Sequence, residues 1–306
     1  MLDISVIIVN WNSGHVLAEC LRRITRELRT VSGECIVIDN NSADDDLGFL
    51  SREFPQFPLI VNSRNLGFAR AVNIGIRRSS GRYLLLLNPD AFLSEGSLRP
   101  LVSLLDGAPE IGIVGPSIVN PDGTLQGSAR AFPRLTTALF GRTSFLSRHF
   151  PHNPFTHRQV TVHSTRRDRP QPVDWVSGAC LVVRREVLEE VGGLDERYFL
   201  YWEDADLCWR ARQRGWQVVY EPRVSAMHLI GESSKHAPVR SLISFHRSAY
   251  RFYRTHITRT TWHPLNIVAV TGLSIRTALV LGWRALCQSV KAVGQSQTPV
   301  RAGRNL

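Results

Sequence analysis

The chain has 306 residues, of which 43% are hydrophobic and 21% charged, an ordinary globular composition that excludes wholesale disorder. Its net charge is +11, but the residues from 229 onward carry eleven Lys/Arg against one acid, so the first 228 residues are close to neutral. A uniformly basic protein would indicate nucleic-acid binding, whereas a neutral body with a basic tail indicates local contact with phosphates or an anionic membrane surface.

The N-terminus and the cysteines suggest a cytoplasmic protein. The chain begins MLDISVIIVN, with an acid at position 3 and no basic segment, so we expect a first strand and not a signal peptide. The five cysteines are scattered, without a CxxC pair or the His/Cys spacing of a metal site. We therefore expect buried thiols in a reducing compartment.

The first hundred residues alternate between predicted strands and helices. Apolar runs rich in β-branched residues predict buried strands, and apolar side chains at helical spacing predict amphipathic helices. The strands cover residues 5–12, 35–42, 58–63 and 83–91, and the helices cover residues 14–29 and 65–81. This alternation predicts a parallel sheet with right-handed crossovers, in which ligands bind beyond the carboxyl ends of the strands.

Polar residues follow three of these strands, at 10–12, 39–41 and 88–90, and would share that edge of the sheet. The tripeptide Asn-Pro-Asp at 88–90 follows four leucines, and we expect Asp90 to be a ligand residue. The same tripeptide at 120–122 is followed by Gly123, which predicts a hairpin turn with a structural role.

The second half of the chain is less regular. Residues 132–172 are rich in Pro, His and Arg with little periodicity, which predicts a long surface segment, either a binding flap or a disordered insert. Residues 173–195 predict a strand, a helix and a Gly-Gly stop. A helix from about Glu203 to Arg214 and a strand beginning at Trp216 follow.

The segment FLYWEDADLCWR, residues 199–210, gathers three carboxylates among four aromatic side chains. A solvated helix face would carry the acids without the aromatics, and a core segment the reverse. The mixture indicates a helix N-terminus with acidic capping, or a pocket that needs a carboxylate of adjusted basicity. We assign Asp206 to the first role, because acids in a first turn complement the helix dipole.

The tail predicts two helices. Arg240, Arg247, Arg251 and Arg254 share one helical face, which is either solvated or bound to phosphate or anionic lipid. Residues 265–286 are apolar enough to consider for a membrane, but Arg276 and Arg284 argue against a simple span. We expect a helix lying in the plane of the membrane surface, with packing against protein as the alternative.

Phosphate-binding loops of the GxGxxG and GxxxxGK[ST] types have no counterpart after the first strand. The predicted sheet edge instead carries Asp39, Asp90 and the 203–206 acids, together with His228. Two separated acids and a histidine can hold a divalent cation, and such a cation neutralises a diphosphate.

The motifs resemble, in their order, the family-2 inverting glycosyltransferases, especially their rhamnosyltransferase-like branch. They are SVIIVNWN, VIDNNSADD, NLGFARAVNIGI, LLLNPDA, VSGACLVVRR, GGLDERYFLYWEDADLCWRARQRGW and HLIGESS, within residues 3–255. The resemblance implies an α/β GT-A fold with a mixed, mostly parallel sheet. It divides the chain into a catalytic domain, 1–235, and a basic helical extension, 236–306. Within the domain, 1–100 would be the nucleotide-sugar half and 101–235 the acceptor half, with 132–172 as a flexible insert.

The resemblance also implies roles for individual residues. The family's donor motif is usually Asp-x-Asp, but here Asn88 replaces the first acid, which leaves Asp90 and His228 as ligands of Mg²⁺ or Mn²⁺. Asp204 resembles the catalytic base, with Glu203 as the alternative. Neighbouring acids and aromatic desolvation by Trp202 would raise the proton affinity of the base. The implied substrate-binding residues are Asn10, Asn12 and Asp39 for the nucleotide, Arg70 and Asn88 near the diphosphate, and Trp175, Gly178 and Trp202 for the sugars.

We therefore expect a metal-dependent inverting glycosyltransferase that moves rhamnose from dTDP-L-rhamnose to a lipid-linked or cell-surface saccharide. A polyprenyl diphosphate would carry the acceptor to the inner face of the cell membrane, where the basic extension holds the enzyme. The alternatives are another donor (UDP-GlcNAc, UDP-galactose or a GDP-sugar) and a noncatalytic nucleotide-sugar or nucleic-acid binding protein.

Overall fold

The computed structural model describes residues 2–43, 47–133, 168–229, 237–260 and 262–296, with side chains described up to residue 282. The chain divides into two compact units, Met1–Pro238 and Val239–Leu306. The assignment of a nucleotide-sugar half and an acceptor half within the first unit stays a prediction.

The first unit alternates strands and helices. In chain order its elements are β1 (Ile4–Asn10), α1 (Gly14–Glu27), β2 (Gly33–Asp39), α2 (Leu47–Glu53), β3 (Leu59–Val61), α3 (Phe68–Arg78), β4 (Tyr83–Leu87), β5 (Ala91–Leu93), α4 (Leu98–Gly107), β6 (Ile111–Val119), β7 (Ala129–Arg130), β8 (Gln171–Pro172), β9 (Trp175–Val176), β10 (Cys180–Arg184), α5 (Arg185–Val191), α6 (Glu203–Gln213) and β11 (Gln217–His228).

Nine of the described strands build one mixed sheet in the order β3-β2-β1-β4-β10-β6-β11-β5, with β8 paired to β11, and β7 and β9 form a separate two-stranded sheet. The first four are parallel, and β10 runs antiparallel between β4 and β6. Every residue of β1 and β4 is buried, which explains their unbroken apolar sequences. The predicted α/β fold with a mixed, mostly parallel sheet is confirmed. The four described cysteines outside the tail are buried and free, as expected.

The sheet brings distant polar residues to one edge. Asn10 and Asp39, the last residues of β1 and β2, are paired in register. Asn88 follows β4, the other neighbour of β1. Because β10 runs antiparallel to β4, it begins at the same edge, and the Asn88 amide donates to Ala179 O at 2.9 Å. The segment before β10 therefore joins residues that follow the parallel strands.

The predicted turn at 120–123 is a hairpin turn. The Gly123 amide donates to Asn120 O at 2.9 Å, and Gly123 has φ +81°, in the left-handed region that favours glycine. The chain then returns along β6, where Val119 bridges Leu125 and the Gln126 amide donates to Ile118 O.

The second unit is helical where it is described. It contains α7 (Pro238–Phe252), a π-helix (Tyr253–Thr258) and α8 (Pro264–Ser296). Residues Pro264–Gly282 of α8 are long and apolar enough to cross a membrane, with a mean hydropathy of 1.6, and only 6% of this window is buried. The Thr277 hydroxyl lies 2.7 Å from His246 Nδ1, and Asn266 donates to Thr260 O, so these polar residues of α8 are turned into the unit.

Candidate active site

The acidic segment begins α6 at a strained turn. Tyr201 and Trp202 have φ +68° and +71°, a backbone region that costs non-glycine residues about 1–3 kcal/mol each. The next residues, Glu203, Asp204 and Asp206, occupy the first turn of the helix. The strain sits at the point where the aromatic and acidic parts of the segment meet, and such outliers cluster at functional sites.

Asp204 is held by backbone amides. Its Oδ2 accepts from Gly178 at 2.8 Å and its Oδ1 from Ala205 at 2.8 Å. Burial raises the pKa of the Asp204 carboxyl, while the two amides and the positive charge of Arg130 oppose the rise. The result is a fixed carboxylate that is more basic than an exposed aspartate.

Glu203 lies beside it in a different environment. The residue is 6% exposed, and its Oε2 has no hydrogen-bond partner among the described residues. Burial and then the negative charge of Asp204 raise the pKa of Glu203 well above its ordinary value. The pKa of Asp204 is also raised, but two backbone amides stabilise its ionised form, so Asp204 is favoured over Glu203 as the ionised member of the pair.

Asp206 has a structural role. It is 1% exposed and accepts from Arg210 Nε at 2.7 Å, one helical turn later. The same guanidinium donates to the backbone oxygens of Val191 and Gly193, so the pair ties α6 to the end of α5. The sequence-based assignment of Asp206 as a first-turn charge agrees with this position.

Asp90 and His228, 138 positions apart, lie side by side. The His228 Nε2 atom is 3.3 Å from Asp90 Oδ1, and Asn88 Nδ2 is 3.5 Å from the same nitrogen. The other ring nitrogen, Nδ1, is 3.0 Å from Gln126 Oε1. Because Gln126 Nε2 donates to His228 O at 2.6 Å, its oxygen must face the ring, and we assign the proton to Nδ1.

This arrangement fits a divalent cation. With the proton on Nδ1, the lone pair of His228 Nε2 is directed at the Asp90 carboxylate. Two such groups attract each other only when a positive charge lies between them, either a second proton on Nε2 or a cation. Ligands about 2.1 Å from one octahedral ion are themselves about 3 Å apart, so the 3.3 Å separation is compatible with a shared cation. No third His, Cys, Asp or Glu joins the pair within the described residues. A cation held here would therefore take further ligands from a bound substrate and water.

The Asp204 carboxylate and the Asp90–His228 pair are connected by a short backbone path. Gly178, whose amide binds Asp204, precedes Ala179, whose oxygen accepts from the Asn88 amide. The Asn88 side chain then reaches His228. The two groups therefore converge on the same edge of the sheet.

A second polar group surrounds Asp39, which is fully buried. Its Oδ1 accepts from Asn10 at 2.9 Å and from the Ser42 hydroxyl at 2.6 Å, and its Oδ2 accepts from the Ser42 amide. The backbone N–H of Asn12 also donates to the Ser42 hydroxyl. The predicted nucleotide residues Asn10, Asn12 and Asp39 are thus together, and Ser42 organises them.

Aromatic side chains lie near Asp204. The rings of Trp175 and Trp202 are stacked with centroids 6.3 Å apart, and the Arg130 guanidinium lies 4.9 Å from the Trp175 ring centre. Arg130 and Trp175 are paired in register between β7 and β9. Trp175 is buried and Trp202 is partly exposed, so the rings form an apolar wall beside Asp204, and the Arg130 charge is close enough to act on the carboxylate.

Comparison with known proteins identifies the family. The sequence model of glycosyl transferase family 2 matches residues 5–192 of the chain. The chain is 32% identical over 259 residues to the N-acetylglucosaminyl-diphospho-decaprenol L-rhamnosyltransferase of Mycobacterium tuberculosis, which covers 80% of this chain and 82% of that one. The chain belongs to glycosyl transferase family 2.

Solved structures similar to this glycosyltransferase have the GT-A fold. GalNAc-T7, solved with UDP, GalNAc and Mn²⁺, has a TM-score of 0.57 at 19% identity over 74% of this chain and 44% of that chain. The Pyrobaculum calidifontis mannosyltransferase solved with GDP-Man and Mn²⁺ has a TM-score of 0.53 at 17% identity, over 96% and 83%. The predicted GT-A fold and glycosyltransferase family are confirmed.

Arg70 was predicted as a site residue, and three other residues near the site were not predicted from the sequence. Arg70 of the glycosyltransferase is half-exposed, and its Nε lies 3.6 Å from Glu196, so its contact with a diphosphate stays a prediction. Sequence reasoning missed Ser42, Gln126 and Arg130. Ser42 follows the Asp-Asn-Asn run, which was a usable signal, whereas the other two contact the site only through the fold. Most of the 132–172 insert lies outside the described residues.

Proposed function

We propose that this glycosyltransferase moves rhamnose from dTDP-L-rhamnose to a lipid-linked or cell-surface saccharide with inversion, and that it depends on Mg²⁺ or Mn²⁺. The observation that carries the proposal is the convergence of Asp204 and the Asp90–His228 pair on one sheet edge through Gly178 and Asn88. A base and a cation-binding pair at one edge are what a single displacement at a sugar diphosphate requires.

In the proposed reaction an acceptor hydroxyl oxygen attacks the anomeric carbon while the bond from that carbon to the diphosphate oxygen breaks. The hydroxyl proton goes to Asp204, and the nucleoside diphosphate leaves with the bonding electron pair. Asp90 and His228 hold the cation, which supplies charge neutralisation for the diphosphate. Burial, which raises the pKa of Asp204, strengthens it as the base.

The remaining predicted residues position the substrates. Asn10, Asn12 and Asp39 border the nucleobase, and Arg70 and Asn88 approach the diphosphate. Trp175, Gly178 and Trp202 lie on the acceptor side, where the partly exposed Trp202 ring, stacked on the buried Trp175, can pack against a sugar face. These assignments are supported by the family membership and by the clustering of the residues at one edge.

The transferred rhamnose and the lipid-linked acceptor are supported by the mycobacterial relative, whose name specifies L-rhamnosyl transfer to N-acetylglucosaminyl-diphospho-decaprenol. Cation use is supported by the two GT-A structures that contain Mn²⁺. An acceptor of this kind resides in a membrane, because its polyprenyl chain is apolar.

The test is a transfer assay with N-acetylglucosaminyl-diphospho-polyprenol and a panel of dTDP-rhamnose, UDP-GlcNAc, UDP-galactose and GDP-mannose. We expect transfer from dTDP-rhamnose, its loss with a chelator and its return with Mn²⁺. Transfer from a different nucleotide sugar would replace the donor but keep the enzyme class. No metal-dependent transfer or binding of any nucleotide sugar would contradict the proposal.

The membrane part of the proposal rests on the second unit. Residues 239–306 contain ten Lys/Arg and no acid, which complements an anionic lipid surface. Large apolar side chains of α8 are exposed: Ile267 by 72%, Val268 by 66%, Ile275 by 55% and Leu279 by 69%. Burying a side chain of this size stabilises binding by about 1.5–3 kcal/mol.

Two polar residues of α8 face away from this surface, whereas Thr271 and Ser274 are exposed. Asn266 is 3% exposed and Thr277 is bonded to His246, so both are turned into the unit. The charge of Arg276 is close enough to His246 to add to the lowering of the His246 pKa by burial. We therefore propose that the exposed residues of α8 lie in the plane of an anionic bilayer at the inner face of the membrane, with cations around them.

Vesicle sedimentation tests the docking. The protein should bind vesicles that contain phosphatidylglycerol, bind neutral phosphatidylcholine vesicles weakly, and dissociate at high salt. The double substitution Ile275→Glu/Leu279→Glu should abolish binding, whereas Val61→Glu, at an equally exposed residue of the first unit, should not. Equal binding by the double variant, or resistance to extraction by alkaline carbonate, would contradict an in-plane surface helix.

A further inference from the structure

The Gln126 side chain contacts both the ring and the backbone oxygen of His228. Its Oε1 lies 3.0 Å from His228 Nδ1, and its Nε2 donates to His228 O at 2.6 Å and to Val119 O at 3.3 Å. A glutamine amide has two donor hydrogens and one acceptor oxygen, and here all are used at once. The amide therefore cannot turn over without placing its NH₂ group against the ring Nδ1–H and losing the bonds to both carbonyls.

The hairpin turn at 120–123 positions the Gln126 side chain. The turn reverses the chain after β6, so that Leu125 bridges Val119 and the backbone N–H of Gln126 donates to Ile118 O. The neighbouring strand on the other side of β6 is β11, in which Met227 is paired with Val119 and His228 follows. The hairpin turn at 120–123 therefore places the Gln126 side chain in contact with His228.

We propose that Gln126 is the positioning residue for the cation ligand His228, which it fixes as the Nδ1–H tautomer with the Nε2 lone pair toward Asp90. This inference rests on the proposed cation site and adds the residue that prepares it. Asn88 agrees with the assignment, because its Nδ2 can only donate and lies on the Nε2 side of the ring. Partners of this kind set the orientation of metal-bound imidazoles, and their loss costs about 10–100-fold in metal affinity.

The variants are Gln126→Met, which keeps the length and removes all three polar contacts, and Gln126→Glu, which keeps an acceptor for Nδ1–H. Gln217→Met is the matched control, because Gln217 is an exposed glutamine at the start of the same strand as His228. The full chain is used throughout, and circular dichroism establishes that each variant is folded.

The first readout needs no metal. Two-dimensional ¹⁵N–¹H spectra of the histidine rings, recorded at a pH where histidine is neutral, report which nitrogen of His228 carries the proton. We expect the Nδ1–H form in the wild type, Gln126→Glu and Gln217→Met, and a mixture of tautomers in Gln126→Met. A wild-type ring protonated on Nε2, or an unchanged tautomer in Gln126→Met, would overturn the proposal whether or not the site binds a cation.

The second readout is Mn²⁺ affinity, measured by electron paramagnetic resonance with dTDP present. Gln126→Met should weaken binding about 10–100-fold, while Gln126→Glu and Gln217→Met should bind as tightly as the wild type or more so. Equal weakening by Gln126→Glu and Gln126→Met would overturn the acceptor role. If the wild type binds no Mn²⁺, the proposed cation site fails, and the tautomer measurement still decides the role of Gln126.

Discussion

The Gly178 amide donates to Asp204 Oδ2 at 2.8 Å, and this contact depends on the missing side chain of glycine. A Cβ at Gly178 would lie 3.1 Å from Asp204 Cβ and 3.4 Å from Oδ2. Gly178 therefore sets both the position and the basicity of the carboxylate. The same segment continues to Ala179 and its bond with Asn88, so a change here would act on both parts of the site.

Gly178→Ala should lower kcat by about tenfold or less, with little change in the Tm. The added Cβ requires Asp204 to move by a few tenths of an ångström, and a misplacement of about 1 Å costs about 100-fold. Steady-state kinetics and thermal unfolding measure the two effects. Gly107→Ala is the control, because a Cβ there would meet nothing within 4 Å. Unchanged kcat in Gly178→Ala would show that the position of Asp204 does not matter.

Asp204→Asn should lower kcat by about 10²–10⁴-fold and leave donor affinity nearly unchanged, because it removes the base and retains the shape of the side chain. Glu203→Gln should have a much smaller effect, since burial raises the pKa of Glu203 and disfavours its charged form. Transfer assays measure kcat, and calorimetric titration with the donor measures donor affinity, for both variants. Retained activity in Asp204→Asn together with its loss in Glu203→Gln would move the base to Glu203.

Arg130→Gln should shift the acidic limb of the kcat/KM profile to higher pH. Burial raises the pKa of Asp204 and the Arg130 charge lowers it, so removal of the charge raises the pKa further. Because the base acts only when ionised, activity is lost as pH falls through that pKa, and the loss begins at a higher pH in the variant. Arg22→Gln, on the outer side of α1, is the control. Coincident limbs for Arg130→Gln and the wild type would exclude this charge effect.

Asp206→Asn should destabilise the fold by about 3 kcal/mol and leave kcat per folded molecule nearly unchanged. Asp206 is buried beside Arg210, and removal of one charge from a buried pair leaves the other uncompensated. Denaturant unfolding measures the change. Asp195→Asn removes an aspartate whose partner Arg197 is 61% exposed, and it should cost less than about 1 kcal/mol. Selective loss of kcat in Asp206→Asn would give Asp206 a role in the chemistry.

The sequence predicted the elements and the edge of the sheet because both depend on local pattern. The β-branched run of β1 and the leucines of β4 are buried on both faces, and their polar ends mark the ligand edge. Asp90 and His228 were predicted from the family resemblance, but their 3.3 Å separation needs the pairing of β5 with β11.

Other contacts were not predictable from local pattern. Gln126 follows a turn that has only a structural signature, and its role arises because β6 lies beside β11. In α8 the sequence contains the polar residues Asn266 and Thr277 among apolar ones, but it does not show which way these two side chains face. The structure turns both residues inward, toward partners in the same unit that are distant in the sequence or lie across a turn.

The most direct test of the account is a Mn²⁺ titration followed by electron paramagnetic resonance, with dTDP present, of the wild type, Asp90→Asn, His228→Ala and Asp204→Asn. The account predicts one bound Mn²⁺ in the wild type and in Asp204→Asn, and lost or strongly weakened binding in Asp90→Asn and His228→Ala. Undiminished Mn²⁺ binding after either of the last two substitutions would contradict the claim that Asp90 and His228 together hold the cation.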